Sequence, residues 1–367
     1  MKTIVIDARE LRTSTGRYIE RLINYLQEVD NDLSHRYIIL LKPKDMDGWK
    51  PKSKRFTAIP CRFKEFGFGE QLGYAWQLFW LRPSLVHFGM TQQPVLYFGK
   101  VVTTMHDLTT LRFSNPAKNR FVFAVKRWVY ERVIKWVAYK SRHIIVPSEY
   151  VKDDIAKFTR TNSRKITVTY EAGDQVTAKA EPYYNLKGKK FIMYVGRPTP
   201  HKNLRRLINA YAQLKQSHPE LHLALVGKTD SNYRRMERYV HKHDIPDVIF
   251  TDFVSDGQLR WLFENCAVYA FPSLSEGFGL PGLEAMASGA PVVSSNATCL
   301  PEIYGNAAEY FDPLDLDDMV RVIERVLTDD KLRQRLVRDG QKRVAKYSWK
   351  RMAEQTLDIY KGILREQ

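Results

Sequence analysis

Residues 181–196 read EPYYNLKGKKFIMYVG. The first ten, Glu181–Lys190, are polar, carry Pro182 and Gly188 and show no apolar periodicity, the signature of a connector. Phe191–Val195 then follows as an uninterrupted apolar run, which is what a strand covered on both faces requires. Working outward, the same grammar lies on either side. Before the connector, short Val/Ile-rich runs at Thr3–Asp7, Tyr37–Leu41, Phe56–Ile59, Leu85–Phe88, Val101–Met105, His143–Pro147 and Ile166–Tyr170 read as strands, with helical patterns such as Gly16–Gln27 and Arg120–Lys140 between them. After it come Leu221–Val226, Val248–Phe253, Val268–Phe271, Pro291–Ser295 and Ala307–Phe311. Alternation of buried strands and helices predicts a parallel, doubly wound sheet, here twice. The expected α/β organisation is therefore a domain at 1–183, a linker at 184–190, a second domain at 191–348, and a C-terminal helix within 349–367 that packs across the boundary.

Composition agrees with two ordinary globular cores. The 367 residues are 44% hydrophobic and 27% charged, which excludes a disordered or collagen-like chain, and a chain this long exceeds what one core holds. No apolar run approaches the roughly 18 residues of a membrane span, and the opening MKTIVIDAREL meets Asp7 and Arg9 before any signal-peptide core forms. Cys61, Cys266 and Cys299 are odd in number and widely spaced, so neither a disulfide framework nor a structural zinc site is expected, and the expected compartment is reducing and cytoplasmic. The formal net charge is +17, of which +13 falls in residues 1–183 and +4 in 184–367. That asymmetry suggests that the first half meets something anionic: a lipid surface, a nucleic acid or a phosphate-rich ligand.

Ligands of open α/β sheets bind beyond the carboxyl ends of the strands, so residues directly after strands are the candidates, and two such domains facing each other would enclose a central cleft. The most specific stretch is 273–291, SLSEGFGLPGLEAMASGAP. Its Gly277–Gly282 matches G-x-G-x-x-G, but late in a second domain rather than in a first strand–helix unit, which disfavours a dinucleotide site. The glycines still let backbone N–H groups approach an anion at a helix start. Glu276 and Glu284 flank them; eight residues of helix would hold the two about 12 Å apart, too far for an acid/base dyad and suited to gripping two ends of an elongated ligand. As alternatives, Glu276 caps the helix and Glu284 is a solvated charge.

A second place is 195–206, VGRPTPHKNLRR, where Arg197 and Lys202 after a strand suit a diphosphate, Arg by bidentate contacts and Lys as a point charge, without a metal; two solvated cations are the plainer reading. A third is His106 with Asp107, where a strand-end imidazole suits hydrogen bonding to a sugar hydroxyl or acid/base work, against an ordinary structural histidine. A fourth is the Thr13–Gly16 turn after the first strand, where Gly16 permits close approach to a phosphate or acceptor and Ser14 or Thr15 otherwise serves as a helix cap.

Taken together, these four places resemble glycosyltransferase family 4, retaining nucleotide-sugar glycosyltransferases of the GT-B fold, over nearly the whole chain. The family's E-x7-E pattern is met by Glu276 and Glu284, its G-R-x4-K pattern by Gly196, Arg197 and Lys202, and its His-Asp turn by His106 and Asp107; the mannosyltransferase-like bacterial branch is the most similar. The resemblance implies that Arg197 and Lys202 hold the donor diphosphate, Glu284 the ribose, and Glu276 the hydroxyls of the transferred sugar with backbone from Gly277, Phe278, Gly279 and Leu280, and that His106 approaches that sugar from the other domain. It implies transfer with retention, the donor phosphate helping to deprotonate the acceptor. Pro198 stands where an apolar residue such as Leu is common, which stiffens the loop and leaves both cations. Asp315-Leu316-Asp317 spells the metal-binding D-x-D of another architecture but lies at a helix start, where Asp is a cap; no metal and no other cofactor are expected.

The expected function is transfer of a hexose, best matched by mannose from GDP-mannose, to a saccharide or lipid-linked saccharide in cell-envelope polysaccharide synthesis. The alternatives are a UDP-sugar donor, or a nucleotide-sugar epimerase or phosphorylase on the same scaffold, and, from charge alone, a nucleic-acid binder, which leaves the strand-end motifs unexplained. Residues 118–142, KNRFVFAVKRWVYERVIKWVAYKSR, hold eight cations against Glu131, with Trp128 and Trp136 among them. They suit either an anionic membrane at the inner leaflet or an ordinary domain helix.

Overall fold

A computed structural model describes residues 1–12, 16–65, 67–113 and 120–365, the side chains of 120–123 excepted. Among the described residues thirteen strands form two sheets. The first contains β1 Lys2–Asp7, β2 His35–Leu41, β3 Phe56–Pro60, β4 Leu85–Phe88, β5 Val101–Thr104, β6 His143–Val146 and β7 Ile166–Val168; the second contains β8 Lys190–Val195, β9 Leu221–Val226, β10 Val248–Phe250, β11 Val268–Phe271, β12 Val292–Ser295 and β13 Ala308–Phe311. Each expected strand is present, with ends shifted by a few residues at most.

All pairings within both sheets are parallel. The spatial orders are β3-β2-β1-β4-β5-β6-β7 and β10-β9-β8-β11-β12-β13. Both orders run outward from the first strand and then reverse, so the first sheet has its switch point between β1 and β4 and the second between β8 and β11, the two places where a doubly wound sheet binds ligands. Burial explains the uninterrupted runs: Phe191, Ile192, Met193 and Tyr194 of β8 are all fully buried, each such side chain contributing roughly 1.5–3 kcal/mol, so no position on either face is left for a polar residue.

The chain folds as two compact units, residues 1–111, 118–171 and 348–367 in one, 112–117 and 172–347 in the other. This division departs from the boundary expected at 183 and the linker expected at 184–190. The polar stretch is docked rather than free. Glu181 N–H donates to the Gly257 carbonyl at 3.0 Å, Arg260 donates to the Ala178 carbonyl at 3.1 Å, and Leu186 is fully buried, so residues from 172 onward belong with the second sheet.

The last helix, Trp349–Arg365, belongs to the first unit. Its end is held by Lys2, which donates to the Leu364 carbonyl, and by Lys100, which donates to the Ile363 carbonyl at 3.1 Å. Both cations meet the orphan carbonyls and negative dipole of a helix C-terminus. The Arg120–Lys140 helix is half of each expected kind: Ile134, Val137 and Ala138 are in the core, whereas Trp128, Trp136 and Tyr139 are exposed. Lys118 of that basic stretch lies outside the described residues. No helix among the described residues is long and apolar enough to cross a membrane, and the three cysteines are buried and unpaired with one another.

Candidate active site

At the switch point of the second sheet two loops leave adjacent strands. One follows β8 (Gly196–Asn203) and the other follows β11 (Pro272–Gly279), and the Leu274 N–H donates to the His201 carbonyl at 2.7 Å, pinning them together. Across this seam Lys202 Nζ reaches Glu276 Oε1 at 2.6 Å, with the side chains 19% and 12% exposed. Lys202 also lies over the Phe271 ring at 5.4 Å. The expected pair of cations is therefore not a matched clamp. Lys202 is half of an ion pair, whereas Arg197 stands 76% exposed with Asp230 at 3.5 Å. Asp230 in turn caps the helix Ser231–Lys242, accepting from the Asn232 and Tyr233 N–H groups.

Glu276 sits in loop, not helix, since the following helix is Leu280–Ala287; the 12 Å helical separation from Glu284 therefore does not apply. Its backbone is fixed on both sides, the N–H donating to Thr298 Oγ1 at 3.1 Å and the carbonyl accepting from Cys299 Sγ at 3.3 Å. Gly279, at φ +93°, turns the chain into the helix; a β-carbon there would lie 2.5 Å from the Tyr304 hydroxyl and 2.7 Å from Leu300. Only glycine combines that backbone with that space. The same Tyr304 hydroxyl donates to the Gly279 carbonyl at 2.6 Å, which locks the turn. Phe278 is buried, its ring edge-on to Tyr347 at 5.5 Å, so its side chain belongs to the packing under the loop and not to a ligand-facing surface. Leu280 opens the helix, and Glu284 lies one turn in, half-buried. Beneath both glutamates, burial and then the charges of Glu284 and Glu276 hold the Tyr269 phenol well above its ordinary pKa.

In the first unit His106 follows β5. Its Nδ1 is 3.2 Å from Glu171 Oε1 and its Nε2 is 3.0 Å from the Gly89 carbonyl, with the Tyr18 ring edge-on at 5.0 Å. A carbonyl and a carboxylate only accept, so satisfying both requires a hydrogen on each ring nitrogen, the imidazolium form. Burial alone would lower the His106 pKa; the Glu171 hydrogen bond and charge, with the Gly89 carbonyl and Asp107, outweigh it and raise it. Asp107 itself accepts from the Thr109 N–H at 2.8 Å. Nearby, at the end of β1, Arg9 is sealed among Asp7 at 2.8 Å, Glu70 at 2.9 Å and the Tyr74 ring at 4.2 Å. Gly16 begins the helix Gly16–Val29, and the space of its missing β-carbon is taken by the carbonyl oxygens of Glu10 and Leu11. The close approach anticipated there is thus made by the chain's own backbone; Thr13, Ser14 and Thr15 lie outside the described residues.

Asp315 caps the helix Leu316–Thr328, accepting from the Asp317 and Asp318 N–H groups at 3.0 and 3.1 Å, and among the described residues no group of three or more His, Cys, Asp or Glu gathers as a metal site. Sequence reasoning missed Glu171, although it follows β7 and the strand-end rule covers it. It also missed Thr298, Tyr304 and Asp230, for which no local pattern exists.

Two doubly wound sheets in one chain, each with charged groups at its switch point, define the GT-B class of two-domain α/β proteins. The fold matches a solved sucrose-phosphate synthase from Thermosynechococcus elongatus over the full length of both chains, with a TM-score of 0.79 at 18% identity. The family described as Glycosyl transferases group 1 matches residues 177–343. The MMP alpha-(1->4)-mannosyltransferase of Mycolicibacterium hassiacum is 30% identical over 286 residues, covering 76% of this chain and 69% of that protein. The serotype-specific mannosyltransferase WbdA of Escherichia coli is 30% identical over 286 residues, 72% of this chain but 34% of WbdA, so the chain spans about a third of that relative. The chain belongs to the group 1 glycosyl transferases.

Proposed function

We propose that this protein moves a mannosyl group from GDP-mannose, with retention and without a metal, to a saccharide or lipid-linked saccharide acceptor. The single observation that carries the reading is the Lys202–Glu276 pair at the β8/β11 switch point: a cation suited to phosphate and a carboxylate suited to sugar hydroxyls stand side by side there, each able to exchange its present partner for one end of a sugar–phosphate ligand. The mannosyltransferase relatives support the choice of sugar.

In this mechanism the bond between the anomeric carbon and the diphosphate breaks, with its electron pair passing to the leaving oxygen. Lys202, the exposed Arg197 and the N–H groups around Phe278–Leu280 receive that charge, which makes the stabilisation largest where charge develops. The acceptor oxygen bonds to the anomeric carbon on the same face, and its proton passes to the departing phosphate oxygen. Glu276 holds the sugar's hydroxyls, Glu284 the ribose, and the His106 imidazolium is a donor to sugar oxygens once one of its present acceptors is released. Gly16 shapes the loop for phosphate or acceptor in the first unit. The same reading has the enzyme act at the inner leaflet, the exposed cations of the Arg120–Lys140 helix such as Lys126 and Arg132 meeting anionic lipid.

The test is thermal unfolding of the whole chain with GDP-mannose and with UDP-sugars, with and without EDTA, followed by product analysis with saccharide acceptors. GDP-mannose should raise the melting temperature irrespective of chelator, and GDP release should depend on acceptor. A shift with UDP-sugars alone, or one abolished by EDTA, overturns the donor or the metal-free mechanism respectively.

A further inference from the structure

The helix Ala75–Leu81, entered through a π-turn at Glu70–Tyr74, is apolar on both sides. Tyr74 and Leu78 are fully buried and fix its inner face, and Glu70 is tied beneath it to Arg9 at 2.9 Å. The opposite stripe, Leu72, Trp76, Phe79 and Trp80, follows the i, i+4, i+7, i+8 spacing of one helix face, yet each of these side chains is more than 60% exposed. Trp76 stacks on Phe79 at 5.8 Å and meets Trp80 edge-on at 5.9 Å, so the stripe is one continuous surface. It borders a groove of about 610 Å³ whose far wall is Leu96 and Phe98, the latter 75% exposed. At roughly 100 Å² or more exposed per aromatic side chain, this patch reaches the several hundred Å² at which a monomer's largest apolar patch is often functional.

Within the segment that carries the patch, the charge has one sign. No Asp or Glu occurs from Gln71 to His106, whereas Arg82 and Lys100 do. The groove's far loop is fastened to the basic Arg120–Lys140 helix, Trp136 Nε1 donating to the Val95 carbonyl at 3.0 Å and Lys140 Nζ to the Pro94 carbonyl at 2.7 Å. Lys126, Arg127, Arg132 and Lys135 of that helix are exposed, as are Trp128 and Tyr139. Aromatic side chains with flanking cations are the composition that settles into the headgroup region of an anionic bilayer; the interface between two copies of a cationic chain would instead bring like charges together.

We infer that the Leu72–Trp80 stripe and the Leu96–Phe98 loop form the apolar half of a docking face for an anionic lipid bilayer, with the basic helix as its electrostatic half. The membrane contact expected from 118–142 alone thereby acquires an insertion element that the sequence pattern did not reveal. The inference rests on the lipid-linked acceptor reading only for what the docking serves.

The test is flotation of the full chain with vesicles of phosphatidylcholine containing phosphatidylglycerol, against phosphatidylcholine alone, together with sedimentation of the chain without lipid. The wild type should float with the anionic vesicles at low salt. The variant Trp76→Ser, Phe79→Ser, Trp80→Ser should lose about tenfold or more of that partitioning, with its melting temperature unchanged because the side chains are exposed. Charge reversal at Lys126, Arg132 and Lys135 should weaken binding to a similar degree. Three results overturn the inference: no flotation, flotation indifferent to the aromatic variant, or a lipid-free dimer that this variant converts to monomer, which would assign the face to a second copy. Binding of GDP-mannose measured without vesicles tests the proposed function separately, since neither variant touches the β8/β11 loops.

Discussion

Replacing Lys202 by Met removes the cation from Glu276 while keeping most of the buried stem. Exposed ion pairs are worth about 0–1 kcal/mol, and stripping one partner from a fully buried pair costs about 3–5 kcal/mol. With the side chains 19% and 12% exposed, the pair lies between these limits, and the expected loss is about 2 kcal/mol. For a unit of this size that corresponds to a fall of about 4–8 °C in melting temperature. Because the same lysine is assigned to the departing diphosphate, kcat/KM should also fall, by about 10–100-fold for one lost charge-assisted contact. The double variant Lys202→Met, Glu276→Gln separates the two roles: a neutral amide needs no cation, so stability should return by at least about 1 kcal/mol while transfer stays low. Differential scanning fluorimetry and initial rates on the parent, both single variants and the double variant complete the cycle. The reasoning is refuted if Lys202→Met melts with the parent, or if the double variant regains transfer along with stability.

Arg197→Ala should leave the melting temperature almost unmoved, since the side chain is 76% exposed and its pair with Asp230 is long at 3.5 Å, yet reduce kcat/KM by about tenfold or more; unaltered kinetics would remove Arg197 from the diphosphate site. Gly279→Ala should cost about 1–3 kcal/mol, because it joins a left-handed backbone to a collision with the Tyr304 hydroxyl at 2.5 Å, and chemical denaturation would read it. Two histidines of the first unit should bend the stability curve in opposite directions. His87, bonded to Tyr360 and, at 2.8 Å, to Thr104, has its pKa pushed by burial and then by His106 down to about 3; the unfolded chain binds the extra proton, so stability falls as pH drops from about 6.5 toward 3, and His87→Asn should flatten that limb. His106, raised by Glu171 against its burial, contributes stability that is complete below about pH 6.5 and is lost as pH rises through its folded pKa; Glu171→Gln should shrink this alkaline loss, and denaturation midpoints that ignore both substitutions would contradict the assignments.

Where the sequence was informative, a local rule applied. The strands were legible because burial on both faces erases polar alternation, and the placing of Arg197, Glu276 and His106 in loops directly after strands was legible because a doubly wound sheet puts its candidate ligand-facing loops there. The same rule reaches Glu171, the residue directly after a strand whose end was read at Tyr170, but an isolated glutamate has no spacing to mark it. What escaped was long-range or non-periodic. Lys202 and Glu276 are 74 residues apart in the chain, and nothing in either loop announces that two opposite charges meet; read separately, each was assigned to a different part of the ligand.

The domain boundary was set elsewhere and the aromatic face passed unread for a common reason: composition predicts exposure only on average. Glu181–Lys190 is polar and breaks helix periodicity, so it resembled a free linker, but its backbone groups are satisfied by Gly257 and neighbours and its one leucine is buried. Ala75–Leu81 is the converse case. AWQLFWL is apolar enough to be core, and a seven-residue helix is too short to display two faces by periodicity, so only its packing distinguishes Leu78 inside from Trp76, Phe79 and Trp80 outside. In an enzyme acting on free sugars alone, that outer face would be a standing aggregation liability. Its persistence beside a run of cations, within residues 1–183 that carry +13 of the +17 net charge, is what the inferred lipid-docking face would account for, since one anionic surface would answer both the charge asymmetry and the exposed aromatics.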